Sequence, residues 1–280
     1  MTQWTLDDIE WEKFDRSKLK PELISLAKAA SVVEHNGYDY ARYLKEVFHD
    51  DPEFAALADQ WAKEEVQHGQ VLRKWAEMAD PEFDFEKSFK MFTDGYKLPE
   101  NIDTSVRGSK SGELIARCVV EAGTSAYYTM LKDYTDEPVM KSICARIAAD
   151  ELRHYKLFYS NLKTYLEKEN IGLLRRLIVA LGRVGESEDD ELAYAYYATH
   201  YNEHANYDRK LFTHLCFAKL HNVYKKEHNE KMIAMIFKAI GLKPHTKLNK
   251  AVNYMGWKYI SYNAKKQQKV AARYEENLAA

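Results

Sequence analysis

The chain of 280 residues carries a formal charge of −2 and has few glycines (11) and prolines (6). That charge gives no electrostatic case for nucleic acid, and no apolar run approaches the ~20 residues that a membrane-spanning helix needs. Cys118, Cys144 and Cys216 are widely spaced and form no CxxC, which argues against a zinc ribbon or a rubredoxin-type iron site; with no apolar leader, they point to a reducing, cytoplasmic interior.

Plentiful Ala, Leu, Glu and Lys favour helix, and the expected class is all-α with essentially no strand. Residues 1–18 hold aromatics without periodicity and read as an arm packed on the domain. A first helix is expected from about Pro21 to Phe48. "HDDPEF" ends it and caps the next, with Asp51 before Pro52, which runs to about Met78. About thirty residues of turn signals follow, with one short amphipathic piece, and suit a crossover connection. A third helix is expected from about Glu113 to Tyr134. "TDEP" breaks it, and a fourth runs to about Glu169. "LLRRLIVALG" (173–182) reads as an amphipathic helix docked on the core, or as a lip that meets a lipid surface or an acyl carrier. After "GESEDD", one long helix is expected from about Glu191 to His228, and two more near 230–240 and 246–275. The chain so divides into a bundle with its arm (1–170) and additional helices packed on it (171–280).

The first four helices contain an internal duplication. "VVEHNGYDYARYLKEV" (32–47) aligns with "VVEAGTSAYYTMLKDY" (119–134) at an offset of 87 residues. One residue drops out in the following turn. At an offset of 86, Pro52 meets Pro138, Glu65 meets Glu151, and His68 meets His154. The preceding acids, Glu64 and Asp150, match as well. The period is too long for a solenoid unit and suits two helical hairpins. Each hairpin carries a lone Glu on its first helix and Glu-x-x-His on its second.

On a helix, residues three apart share a face. Glu65 and His68 can therefore bind one centre together, and so can Glu151 and His154. Antiparallel packing brings Glu34 and Glu121 to the same depth. Apolar neighbours such as Val33, Val66, Cys118, Leu152 and Phe158 turn this face inward. Four buried carboxylates cost many kcal/mol unless protons or cations neutralise them. Two divalent cations with two imidazoles would do so, and this mixed ligand set suits iron or manganese better than zinc or calcium. The alternative is a metal-free bundle whose buried acids pair with arginines such as Arg153.

Six residues in this order, over roughly residues 20–168, resemble the ferritin-like superfamily, in which two helices each give a Glu and two others each give Glu-x-x-His. The resemblance implies a four-helix bundle around a pair of iron ions, or of iron and manganese or manganese alone. Both halves keep a His, about 110 residues follow the bundle, and "EAGT" puts Thr124 three places after Glu121. These features resemble oxygen-activating members more than storage proteins: soluble acyl-carrier-protein desaturases, aldehyde-deformylating oxygenases and N-oxygenases. By that resemblance Thr124 helps deliver protons or position dioxygen; otherwise its hydroxyl bonds the carbonyl four residues back. Asp150 and Glu64 would hydrogen-bond the free ring nitrogens of His68 and His154 respectively.

The expected activity is oxidation of an organic, perhaps acyl, substrate by dioxygen, with electrons from a separate donor. The alternatives are iron oxidation or peroxide removal, or a helical binding module without metals; a homodimer is possible in each. Tyr38, one turn after Glu34, is a candidate for a tyrosine acting near the metals, against ordinary core packing. His35 points away from Glu34 on the helical wheel. His200 and His204, four apart, could form a further metal face, though a capping or interface role is the simpler one. "YAYYATHYN" (194–202) could line a substrate channel or simply pack on the bundle.

Overall fold

The computed structural model describes residues 4–186, 190–200, 206–221 and 223–279. Among them are eleven α-helices and no strand. Three 3-10 turns within the arm precede α1 (Pro21–His35), α2 (Gly37–Val47), α3 (Pro52–Ala79), α4 (Phe85–Gly95), α5 (Lys110–Tyr134) and α6 (Pro138–Glu169). The rest are α7 (Leu173–Gly185), α8 (Asp190–Thr199), α9 (Arg209–His221), α10 (Lys226–Ala239) and α11 (Lys247–Ala279). No helix among the described residues is long and apolar enough to cross a membrane.

The helices start where the local chemistry dictates. Pro52 and Pro138 open α3 and α6, where a missing N–H costs nothing. Asp51 caps α3 by accepting from the Phe54 N–H at 2.9 Å. Glu137, at the equivalent place in the repeat, caps α6 by accepting from the N–H groups of Val139 and Met140. Ser109 and Asp84 cap α5 and α4 in the same way.

Two expected helices are interrupted. The first breaks at Asn36, whose ψ of 10° lies far from the helical value, so α2 begins afresh at Gly37. Gly37 permits this: a Cβ there would lie 2.7 Å from the Glu65 Cβ and 2.9 Å from the Ala62 carbonyl oxygen. The expected helix 191–228 is divided between α8, α9 and α10. Residues 206–208 are not helical, and the Asp208 side chain accepts from the Leu211 N–H to start α9. His204 and the rest of 201–205 lie outside the described residues.

Helices α1 and α2 pack on α3, and α5 packs on α6, giving two hairpins that also touch through α3 and α6. The later helices lie against the same hairpins: α7 and α10 on α5, α8 and α9 on α1. Helix α7 buries Val179 and Ala180 but leaves Leu174, Ile178 and Leu181 largely exposed, so its apolar face is only partly docked. Tyr196 and Tyr197 pack in the core, and His200 stacks on the Tyr196 ring at 4.1 Å. Burial pushes the His200 imidazole down to about 4, so it stays neutral.

Buried apolar side chains fall into two clusters. One holds Leu23, Leu26, Leu72, Trp75, Met130 and Ile143. The other holds Leu44, Phe54, Trp61, Leu114, Phe158 and Leu162. Between them on α1, α3, α5 and α6 lies a belt of buried polar residues that includes Glu34, Glu65, His68, Glu121, Glu151 and His154.

Glu137 ties the arm, α3 and α6 together. Besides capping α6, it accepts from the Trp75 indole N–H at 2.8 Å and the Asp15 N–H at 3.2 Å, and it is fully buried. Replacing it with Ala strands several buried donors. Glu137→Ala should lower unfolding free energy by about 2–4 kcal/mol, and Asp51→Ala by about 1 kcal/mol, in urea titrations of the two variants.

Candidate metal centre

Each hairpin delivers its acids and imidazole by helical phase alone. On α3, Glu65 and His68 are one turn apart, as are Glu151 and His154 on α6. Glu34 comes from the last turn of α1 and Glu121 from the middle of α5. Gly69 sets the approach of α1 to α3 at this level: a Cβ there would lie 2.5 Å from the His35 backbone nitrogen.

The six side chains form two buried groups that could each hold a metal ion. One comprises Glu34, Glu65, His68 and Glu151; the other comprises Glu65, Glu121, Glu151 and His154. Within each group one ligand atom per residue lies within 4.8 Å of all the others. Glu65 and Glu151 belong to both groups and so stand where carboxylates could bridge two ions.

The hydrogen-bonding pattern fits that occupation. Oε2 of Glu34, Oε1 of Glu65, Nδ1 of His68, Oε2 of Glu121, Oε1 of Glu151 and Nδ1 of His154 are buried without a hydrogen-bond partner. These atoms approach one another closely, as in His154 Nδ1 to Glu65 Oε1 at 2.9 Å and His68 Nδ1 to Glu151 Oε1 at 3.2 Å. Buried polar atoms left so cost about 1–3 kcal/mol each. One carboxylate oxygen or ring nitrogen from each residue faces the common centre, and that is the donor set a pair of hard or borderline cations takes.

The outer atoms of the same side chains are held. Asp150 lies on His68 Nε2 at 3.1 Å, and Glu64 on His154 Nε2 at 2.9 Å. In the neutral ring, a proton on each Nε2 would leave the Nδ1 lone pair facing inward. Arg153 donates to both outer acids, at 2.5 Å to Asp150 and 3.2 Å to Glu64. It therefore neutralises the outer pair and not the inner carboxylates. Among the described residues, the ion-pair partners of Glu34, Glu65, Glu121 and Glu151 within 4.0 Å are the two histidines.

Thr124 Oγ1 donates to Glu151 Oε2 at 2.6 Å, and the Val120 carbonyl lies farther off at 3.2 Å. Its place is thus at a shared carboxylate as well as over its own helix. Tyr38 is different. It is 58% exposed and stands outside the two buried groups. The break at Asn36 shifts the helical phase, so the position one turn after Glu34 no longer shares its face. Tyr128 takes that place from another helix: its hydroxyl donates to Glu34 Oε1 at 2.5 Å. The sequence signal was its spacing of seven from Glu121 on α5. Trp4 was also missed; its indole N–H donates to Asp150 at 2.7 Å and its ring stacks beside His68. His35 sits among Phe85 and Phe89, away from the centre.

A cavity of about 240 Å³ reaches the centre from one side. Glu34, Glu65, Glu121, Glu151 and Thr124 form its inner end; Lys97 and Val106 are exposed residues of its wall. The lining also includes apolar Val33, Trp61 and Val120 and polar or charged Tyr40, Tyr43, Glu113, Arg117 and Glu191.

The electrostatics show what the centre does without cations. Burial, and then the charges of Glu151 and Glu34, push the Glu65 carboxyl well above its ordinary range. Burial likewise pushes Glu121 up to about 8. For His68 burial works downward, but the adjacent carboxylates of Asp150, Glu151 and Glu34 outweigh it and hold the imidazole well above its usual value. His154 is raised in the same way by Glu121, Glu64 and Glu65, against burial. Protons and cations therefore compete for one cluster of negative charge. Binding of manganese(II) or iron(II) at neutral pH should release protons, read with an indicator dye in weak buffer. Because raised groups must deprotonate to ligate, the apparent affinity should rise with pH and weaken as pH falls. Comparison with models of known protein families finds no match to this chain, and neither does comparison with curated proteins.

Proposed function

We propose that the protein is a non-haem oxidoreductase of the ferritin-like type, with a four-helix bundle formed by α1/α2, α3, α5 and α6 and a pair of iron or manganese ions at its centre. Glu34 and His68 would hold one ion, Glu121 and His154 the other, and Glu65 and Glu151 both. The observation that carries this reading is the set of six inward, buried atoms without partners, one from each of these six residues, within two close-set groups. When bound, the ions supply dioxygen activation and electron transfer. Reduction of dioxygen takes four electrons, two from an organic substrate and two from an external donor.

The chain's own residues prepare the site for that work. Asp150 and Glu64 fix the imidazole tautomers, and Arg153 holds both acids in place. Tyr128 and Thr124 hold carboxylates that would otherwise swing, and the Thr124 hydroxyl keeps a proton at Glu151 Oε2 beside the cavity. Flanking apolar clusters keep bulk water from the other sides.

The cavity bears on the substrate. Its volume lies below the roughly 300–1,000 Å³ of ordinary ligand pockets, and charged walls are a poor host for a long acyl chain. A polar route to the ions equally suits iron oxidation or peroxide removal, which is the second reading. Elemental analysis after anaerobic iron(II) loading should give about two ions per chain, and fewer than one in Glu151→Ala, whose lost carboxylate serves both positions. Under the first reading, the loaded protein consumes dioxygen only with a reductant and in proportion to an oxidised organic product. Peroxide removed at full rate without any organic partner would favour the second reading. A purified protein that takes up no iron or manganese at all would leave only the helical scaffold.

A further inference from the structure

The cavity wall carries a cation for which the metal centre has no use. Arg117 stands on α5 one turn before Glu121 and lines the cavity with it. Its side chain is only 16% exposed, and its Nε is buried with no hydrogen-bond partner. Among the described residues its ion-pair neighbour is Glu113, at 3.6 Å, too far for a hydrogen bond. Glu113 is already engaged: its Oε2 accepts from the Tyr43 hydroxyl at 2.9 Å and from Ser105 at 2.7 Å. Neighbouring side chains take their hydrogen bonds elsewhere. Arg107 is bonded to Glu186, and Glu191 accepts from the Tyr40 hydroxyl. Arg117 is therefore a guanidinium that, against burial, the nearby carboxylates of Glu113, Glu121 and Glu191 hold in its charged form, yet with hydrogen-bond donors to spare in the cavity wall, and an acceptor from a ligand would complete them.

We propose that Arg117 anchors the carboxylate of a small organic substrate whose remaining atoms lie along Val120 toward Glu121 and Thr124. A planar guanidinium matches a carboxylate through two parallel hydrogen bonds. Four residues along α5 amount to about 6 Å of rise, so the carbon presented to the centre is close to the carboxylate. This also fits the small cavity. The inference rests on the oxidoreductase reading for its consequence, although the anion site itself depends only on Arg117 and the cavity. Arg117 acts as a binding residue and not as a metal ligand.

The test uses the full chain loaded with manganese(II), with metal content measured in the same samples. Benzoate and its uncharged isostere benzamide are titrated into it by calorimetry. The wild type should bind benzoate about ten- to a hundredfold tighter than benzamide. Arg117→Gln should abolish that preference while manganese content stays unchanged, and Arg117→Lys, which keeps the charge without the fork, should retain part of it. Equal binding of the two compounds, no benzoate binding at millimolar concentration, or an undiminished preference in Arg117→Gln would each overturn the proposal; the last would put the anion on the ions instead. Should Arg117→Gln fold poorly, the comparison of wild type with Arg117→Lys decides. Loss of the preference in a protein that still holds two manganese ions sinks the anion site alone. An intact preference in a protein that holds none sinks the metal reading alone.

Discussion

Burying four carboxylates and two imidazoles in the middle of a helical core is the constraint around which this protein is organised. The apolar interior is split into two clusters, and the charged centre sits between them on α1, α3, α5 and α6. A core of this kind folds only if each charge has an answer, because an unpaired charge in low dielectric costs more than any single apolar contact returns. The outer face of the cluster is answered by protein groups: Arg153 for Asp150 and Glu64, Tyr128 for Glu34, Thr124 for Glu151. The inner face is answered only by the two histidines and by protons, and those are the positions that divalent cations would take.

The supporting ring shows how stability and ligation are linked. Trp4 in the arm, Asp150 on α6 and His68 on α3 form one connected unit. The arm is thus part of the scaffold that orients an imidazole, in addition to covering the hairpins. Gly37 and Gly69 do the equivalent task through the backbone, since each lets α1 or α2 come within the space that a side chain would fill beside α3. Close backbone approach at this level keeps Glu34 within reach of the acids on α3 and α6. The later helices complete the enclosure. Helices α7 and α10 lie on α5, and α7 supplies Arg183 to the cavity wall.

The cavity gives the centre a chemical direction. Its lining mixes apolar Val33, Trp61 and Val120 with the charged Arg117 and its acidic neighbours. A mixed lining of this kind suits a small polar ligand better than a purely apolar one. Fold class alone would not separate such a site from one for a long hydrocarbon chain, since the same helical frame accepts either lining.

The six inward residues were legible in the chain because their arrangement is local arithmetic. Glu-x-x-His puts two donors on one helical face whatever the helix packs against, and the duplication puts the second pair at the same depth. The caps at Asp51 and Glu137, and the all-helical class, follow from equally local chemistry. Tyr38 lies exposed, outside the buried cluster, beyond a break at Asn36, and nothing in "EHNGY" by itself says how far a turn rotates the next helix. The interruption between α8 and α9 was missed for a related reason: Asp208 competes for backbone N–H groups only once the chain is free to leave the helix. Trp4 and Arg117 belong to the tertiary structure alone, and the spacing of Tyr128 from Glu121 gives its helical face but not its partner. Each matters through a partner or a cavity more than one helix away, and the docking of hairpins, which depends on the whole packed interior, decides which side chains share that space. The sequence by itself determined which residues could face one centre; only the packed fold decided what surrounds that centre and what can enter beside it.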